Sequence, residues 1–153
     1  INQASQVMHG NLDDRFGNNR IFLWKRSIEL AKEQPVFGSG PDTFFVAFMG
    51  RFAEEIEEFS PGIQYDAAHN EYLQIWVNLG LFGLVTYLLA QLSIIGRAVK
   101  RVSTSNNILL FLAPVVCYLI QAFFSFSIVI ITPIFWLMLG LLEREIQTAE
   151  TQK

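Results

Sequence analysis

The rhythm of apolar and polar positions changes once along this chain, near residue 74. Before it, apolar residues recur every three or four positions among frequent charges, the mark of helices with one covered face. After it come long runs almost free of charge. In the first part Ile21, Trp24, Ile28 and Ala31 repeat at helical spacing, and Asn18 or Asn19 stands where an N-cap belongs. Pro35 ends that helix, and FGSGPDTF (37–44) reads as a tight loop into a second helix capped by Asp42 or Thr43. Phe45, Met49, Phe52, Ile56 and Phe59 then share a face, with Glu54, Glu55, Glu57 and Glu58 on the remainder, until SPG (60–62) terminates the element. The phenylalanine stripe predicts packing against a membrane-embedded body. A helix lying in the headgroup layer would carry Lys and Arg, not Glu, on its polar face.

The second part is read by length. Between Ile75 and Ile95 the strongly polar residues are Asn78 and Gln91, and about 20 apolar residues suffice to cross roughly 30 Å of hydrocarbon. Residues 75–96 are therefore a predicted transmembrane helix. The loop 97–107 carries Arg97, Lys100 and Arg101 and no acid, which marks the cytoplasmic side and leaves residues 1–74 outside. Residues 108–142 hold no charge, and one helix of that length would reach about 52 Å, too long for a single span. They predict a transmembrane hairpin turning near Ser125–Ser127, with Pro133 tolerated in an early turn and residues 143–153 as a cytoplasmic tail. The fold class is thus an all-α membrane protein, an extracytoplasmic helical loop domain over 1–74 followed by three transmembrane helices.

The junction between the parts reads DAAHNEYLQIWVNLGLFG (66–83). With Asp66 as cap, a helix from Ala67 to Ile95 would measure roughly 43 Å, so its first two turns would protrude from the hydrocarbon. His69 would stand about 9 Å outside, at the height of lipid phosphates. Gly80 and Gly83 would leave a groove for a neighbouring helix.

Charge and candidate chemistry narrow the picture. The net charge of −3 is unevenly spread: residues 1–78 hold eleven acids and six bases, residues 79–153 three and five. No basic stripe supports nucleic-acid binding. Cys117 is the sole cysteine, which excludes an intrachain disulfide. His9 and His69 are the only histidines, and no ligand spacing predicts a metal. No nucleophile elbow is present, Asp66 and Glu71 fall on different helix faces, and the FGSGPD loop is too poor in glycine for a nucleotide fingerprint. The polar opening segment lacks the layout of a signal peptide, and late spans without an insertion signal predict the C-terminal piece of a longer protein. On these grounds alone His69 is an interfacial residue before it is a catalyst.

An ordered set of motifs shifts that balance: Arg20 and Trp24, then Pro35-Val36-Phe37-Gly38-Ser39-Gly40, then His69-Asn70, then Gly80-Leu81-Phe82-Gly83-Leu84. In order, spacing and topology the set resembles the O-antigen ligase and polymerase family of bacterial membrane glycosyltransferases, whose polytopic fold is of the GT-C-like kind. The resemblance implies an enzyme of the bacterial cytoplasmic membrane that moves a glycan from an undecaprenyl-diphosphate donor to an acceptor hydroxyl on a glycan, lipid or protein outside the membrane. It implies no metal and no cofactor, and a need for upstream transmembrane helices of the same protein. Arg20 matches the family's loop arginine, which would grip pyrophosphate, and His69 its loop histidine, as proton acceptor or, protonated, as phosphate partner. Arg15 is a further candidate phosphate contact. Asp66, Asn70 and Glu71 are candidates to orient the imidazole, with capping and helix solubility as the competing explanation; Tyr72 and Trp24 are candidates to stack on sugar. Arg26, six positions after Arg20, points elsewhere and reads as solvated or paired. The competing class is the non-enzymatic tail of a polytopic transporter or membrane scaffold.

Overall fold

The computed structural model describes residues 13–103 and 106–151. They form five helices and, among the described residues, no strand: α1 (Phe16–Glu33), α2 (Phe44–Phe59), α3 (Glu71–Arg101), α4 (Asn106–Ala122) and α5 (Thr132–Thr151). The chain divides into two compact units, Ile1–Leu84 and Val85–Lys153.

In the first unit α1 and α2 bury faces rotated from those the spacing predicts. Leu23, Ser27, Leu30 and Ala31 are the buried side of α1, while Ile21, Trp24 and Ile28 are half-buried. Phe44, Phe48, Phe52 and Ile56 are the buried side of α2, while Phe45 is exposed and Met49 and Phe59 are half-buried. Both helices are apolar over more than one stripe, so periodicity alone fixes the helix but not its rotation. The aromatic contacts decide it. Phe44 stacks on Phe48 at 5.0 Å between ring centroids, Phe48 meets Phe52 at 5.3 Å, and Phe22 of α1 stacks on Phe59 at 4.2 Å.

Thr43 takes the predicted N-cap position of α2, its carbonyl accepting from Ala47 N–H at 3.0 Å, but no side-chain capping bond forms at α1 or α2. Gly17, Asn18 and Asn19 all take left-handed backbone angles, so the regular part of α1 starts at Arg20. Asp42 is also left-handed, and the Thr43 hydroxyl donates back to Gly40 O at 2.6 Å instead of capping α2.

The largest departure lies in α3. Its helix is interrupted at Gly80, whose φ of 70° and ψ of −174° belong to a region essentially reserved for glycine. A continuous helix would bond Leu81 N–H to Val77 O and Phe82 N–H to Asn78 O. Instead Leu81 N–H donates to Pro35 O at 2.7 Å and Phe82 N–H to Val36 O at 3.1 Å. The vacated carbonyls accept from the same loop: Val77 O from Ser39 N–H at 2.8 Å, Asn78 O from Gly40 N–H at 2.9 Å. The loop 35–40 thus replaces two intrahelical bonds with four of its own. Glycines make the approach possible, since a Cβ on Gly38 would lie 2.5 Å from the Asn78 carbonyl carbon and 2.6 Å from Gly80 N. The neighbour accommodated at Gly80 is therefore this loop and not another helix.

In the second unit the uncharged run 108–142 divides into α4, a non-helical stretch 123–131, and the first half of α5. The two helices form an antiparallel pair. Tyr118 stacks on Phe135 at 4.1 Å, and Asn107 Nδ2 at the start of α4 donates to Glu145 of the second half of α5. Ile108, Leu112 and Val115 are buried with Phe135, Leu139, Leu142, Ile146 and Ala98. The segment after 142 is helical to Thr151, and two bases of the last turns of α3 find acids on it, Arg97 with Glu143 and Arg101 with Glu150. Of the three spans the sequence predicts, α3 alone is, among the described residues, long and apolar enough to cross a membrane; the apolar helix 107–122 is shorter.

The break in α3 yields a stability prediction. Gly80→Ala places a side chain in a glycine-only conformation and drives its Cβ into the Val36 backbone, so it should cost at least about 2 kcal/mol. Gly96→Ala, in the same helix with open space around it, should be neutral or gain up to about 1 kcal/mol. Thermal unfolding of the detergent-solubilised full-length protein measures both; equal behaviour of the two variants would contradict the spliced helix.

Candidate active site

Asp66 does not begin α3. The segment 65–68 runs inward, with Tyr65, Ala67 and Ala68 buried, and His69 turns the chain with a φ of 48°. Left-handed backbone costs a residue with a Cβ roughly 1–2 kcal/mol, and histidine is among those that adopt it more readily. Asn70 then caps α3: its Oδ1 accepts from Leu73 N–H at 3.0 Å, and its carbonyl accepts the first helical bond from Gln74 at 2.9 Å. Gln74 Oε1 in turn accepts from Ala68 N–H at 2.7 Å, which locks the turn on its other side. His69 therefore sits in the turn before α3 and not on its protruding first turns.

Arg20 is brought to this turn by its neighbours. The Asn19 side-chain amide donates to Ser60 Oγ and to Tyr65 OH, each at 3.0 Å. Phe22 packs on Phe59 and leans on Tyr65, with ring centroids 6.3 Å apart. The start of regular α1 is thus fastened to the segment that leads into His69. The consequence is electrostatic. Burial and the Arg20 charge push the His69 pKa below its usual 6.5, and Asp66 opposes them in part. The shift favours the neutral imidazole.

The other bases are differently placed. Arg26 binds Glu55 and Glu29, and this pairing raises its pKa. Arg51 binds Glu33 at 3.0 Å, and Lys25 binds Asp14. Arg20 and Arg15 have no carboxylate partner among the described residues; the Arg15 guanidinium lies 5.4 Å from the centre of the Phe59 ring. Of the remaining candidates, Asp66 is exposed, Tyr72 half-buried, and Asn70 and Glu71 buried, with Glu71 in the first turn of α3 where its charge suits the helix dipole. The structure thus joins Arg20, His69 and Asp66 electrostatically and gives the Asn70 oxygen a capping task. A cleft of about 310 Å³ lined by Leu30, Glu33, Val46, Arg51 and Val77, among others, includes neither Arg20 nor His69. Asn19, Ser60 and Tyr65 are the positioning residues that spacing does not reveal, because they meet across more than forty residues of chain.

Comparison with known proteins fits this arrangement. The model of the O-antigen ligase family matches residues 2–88, more than half of the chain. The chain belongs to the O-antigen ligase family. An uncharacterized protein of Haemophilus influenzae is 29% identical over 87 residues, which is 57% of this chain and 22% of that protein. The match thus spans less than a quarter of its relative's length. No solved structure matches. The matched region holds Arg20, the 35–40 loop, His69 and the break at Gly80, and it ends close to where the first compact unit does.

The electrostatic coupling is directly measurable. In the full-length protein, the His69 resonance, assigned by its loss in His69→Gln, should titrate below 6.5. Arg20→Met removes a repelling cation and should raise the midpoint; Asp66→Asn removes an attracting anion and should lower it further. A midpoint indifferent to Arg20→Met would mean that the two side chains do not share a site.

Proposed function

We propose that the full-length protein transfers a glycan from an undecaprenyl-diphosphate donor to an acceptor hydroxyl outside the cytoplasmic membrane, with Arg20 and His69 as its catalytic residues. The observation that carries this reading is a permanent cation without a carboxylate partner among the described residues, whose charge helps to lower the pKa of an imidazole at the head of a long apolar helix. Family membership favours it over the tail of a transporter or scaffold.

In the proposed reaction the acceptor oxygen attacks the anomeric carbon, and the bond from that carbon to the donor phosphate breaks. The hydroxyl proton passes to His69, and undecaprenyl diphosphate leaves as the anion. Arg20 offers a planar fork to the pyrophosphate oxygens, and its place at the start of regular α1 adds its charge to the positive end of the helix dipole. Arg15 is a second candidate for phosphate contact. A depressed pKa favours His69 as base over His69 as phosphate partner, because it enlarges the fraction of imidazole able to accept a proton. Asp66 would steady the imidazolium formed during transfer, and Tyr72 would face the sugar. Activity should therefore rise with pH through a midpoint below 6.5 and then level off.

Substitution of the two residues in the full-length enzyme tests the assignment. Arg20→Lys keeps the charge but loses the fork, and should lose most glycan transfer at unchanged protein level. His69→Ala should cut transfer by about 10²- to 10⁴-fold, and His69→Gln nearly as much, since glutamine hydrogen-bonds but takes no proton. Near-native transfer by the glutamine variant would remove the base role.

We further propose that residues 1–74 lie outside and that α3 leads to the cytoplasm. Support comes from Arg97, Lys100 and Arg101 at the end of α3; pairing of the two arginines with glutamates does not cancel the bias, to which acids contribute little. A cysteine at Thr104, outside the described residues, should escape a membrane-impermeant thiol reagent in intact cells. Labelling there would reverse the orientation.

A further inference from the structure

The splice in α3 leaves an apolar surface that neither the packing nor the proposed chemistry uses. At the tip of the loop Val36 and Phe37 are 53% and 75% exposed, and beside the break Phe82 is 65% exposed. The rings of Phe37 and Phe82 stand 6.4 Å apart between centroids, and Leu79 and Leu81 are exposed next to them. Two parts of the chain far apart in sequence thus present one contiguous apolar patch, larger than scattered surface residues account for.

Three further observations identify what covers it. The patch is charge-free: the loop's nearest charges are Glu33 and Asp42, Glu33 is paired with Arg51, and α3 carries no charge between Glu71 and Arg97. About half of the loop's backbone groups are hydrogen-bonded, most of them to α3. Pro35 O, Val36 O, Ser39 N–H and Gly40 N–H bond to α3, Gly38 N–H bonds to Gln34 O, and Pro35 has no N–H to satisfy. Irregular backbone is excluded from lipid because of its unpaired groups, and the bonds to α3 remove part of that cost, which suits a tip at the hydrocarbon boundary and not at its centre. Finally, the patch lies on α3, the one helix among the described residues suited to cross a membrane, and Gly80 lies only five residues, roughly 7.5 Å, beyond the first residue of its apolar run.

We propose that the Pro35–Gly40 loop is a membrane wedge whose Val36-Phe37 tip, together with Leu81 and Phe82, lies among lipid acyl chains at the outer boundary of the hydrocarbon. The occupant of the patch is lipid. The inference rests on α3 being a transmembrane helix. It adds a second anchor, so that the first unit is held to the bilayer at two places far apart in the sequence, Phe37 and the start of the span.

The test is spin-label accessibility in the full-length protein reconstituted into phosphatidylcholine–phosphatidylglycerol vesicles, starting from a cysteine-free background. Single cysteines replace Phe37, Phe82, the exposed Lys32 and Glu58, and Leu89 and Leu92 of α3. Because the Phe37 and Phe82 side chains are mostly exposed, their loss removes little core packing. Labels at 37 and 82 should be mobile and collide more with molecular oxygen than with a water-soluble nickel chelate, and labels at 32 and 58 should do the reverse. Free access of the nickel chelate to position 37 would overturn the wedge, as would protection from both reagents, which would mean that protein covers the patch. Labels at 89 and 92 report the span separately. If they exclude nickel while position 37 admits it, the wedge fails and the span stands; if they admit nickel, the span itself is wrong.

Discussion

One exchange of hydrogen bonds holds the first unit together. At Gly80 the helix gives up two of its own bonds, and the four backbone groups so freed are matched, one for one, by four groups of the 35–40 loop. That loop is the connection between α1 and α2, so the exchange fixes both helices to α3 through the backbone and not merely through side-chain packing. Buried backbone groups must be paired somewhere, and the segment has found a solution in which neither partner is complete without the other. The arrangement tolerates no Cβ at either glycine of the contact, Gly38 or Gly80.

The candidate site depends on this frame at one remove. Arg20 opens the regular part of α1 and His69 closes the turn before α3; they meet because one asparagine and one phenylalanine of α1 reach across to Ser60, Phe59 and Tyr65. Charge is partitioned with similar economy. Glu29, Glu33 and Glu55 are engaged by Arg26 and Arg51, while Arg20 has no carboxylate partner among the described residues and its charge helps to depress the histidine. An arginine already bidentate to glutamate would have little left to offer a phosphate.

What could be read in the sequence was mostly what is local. Helix extents around Pro35, SPG 60–62 and the basic end of α3 follow from single residues whose backbone preferences are strong, and the boundaries agree with the structure within a few positions. The motif order that pointed to the family is likewise a property of the string, and the family match covers the same region. The failures are tertiary. Which of two apolar stripes α2 buries depends on the aromatic partners it meets, and the spacing of Phe45, Met49 and Phe52 carries no record of them. Asp66 looks like a cap because acids often are; the structure instead gives the task to Asn70, since the preceding residues are drawn into the core. Gly80 was legible as a small residue but not as a break. Its complement, the Pro-x-x-Gly-x-Gly loop, looks self-sufficient when read alone.

The spliced helix also constrains the order in which the protein can be built. More than forty residues separate Gly38 from Gly80, and a chain emerging from the ribosome exposes the loop long before its partner exists. Closing so distant a contact is slow compared with winding a helix, which proceeds in nanoseconds per residue. In a helix wound before the loop docks, Leu81 and Phe82 would bond back to Val77 and Asn78. Docking of the loop exchanges those two bonds for four, so the break at Gly80 is a product of tertiary contact and not of the helix's own sequence.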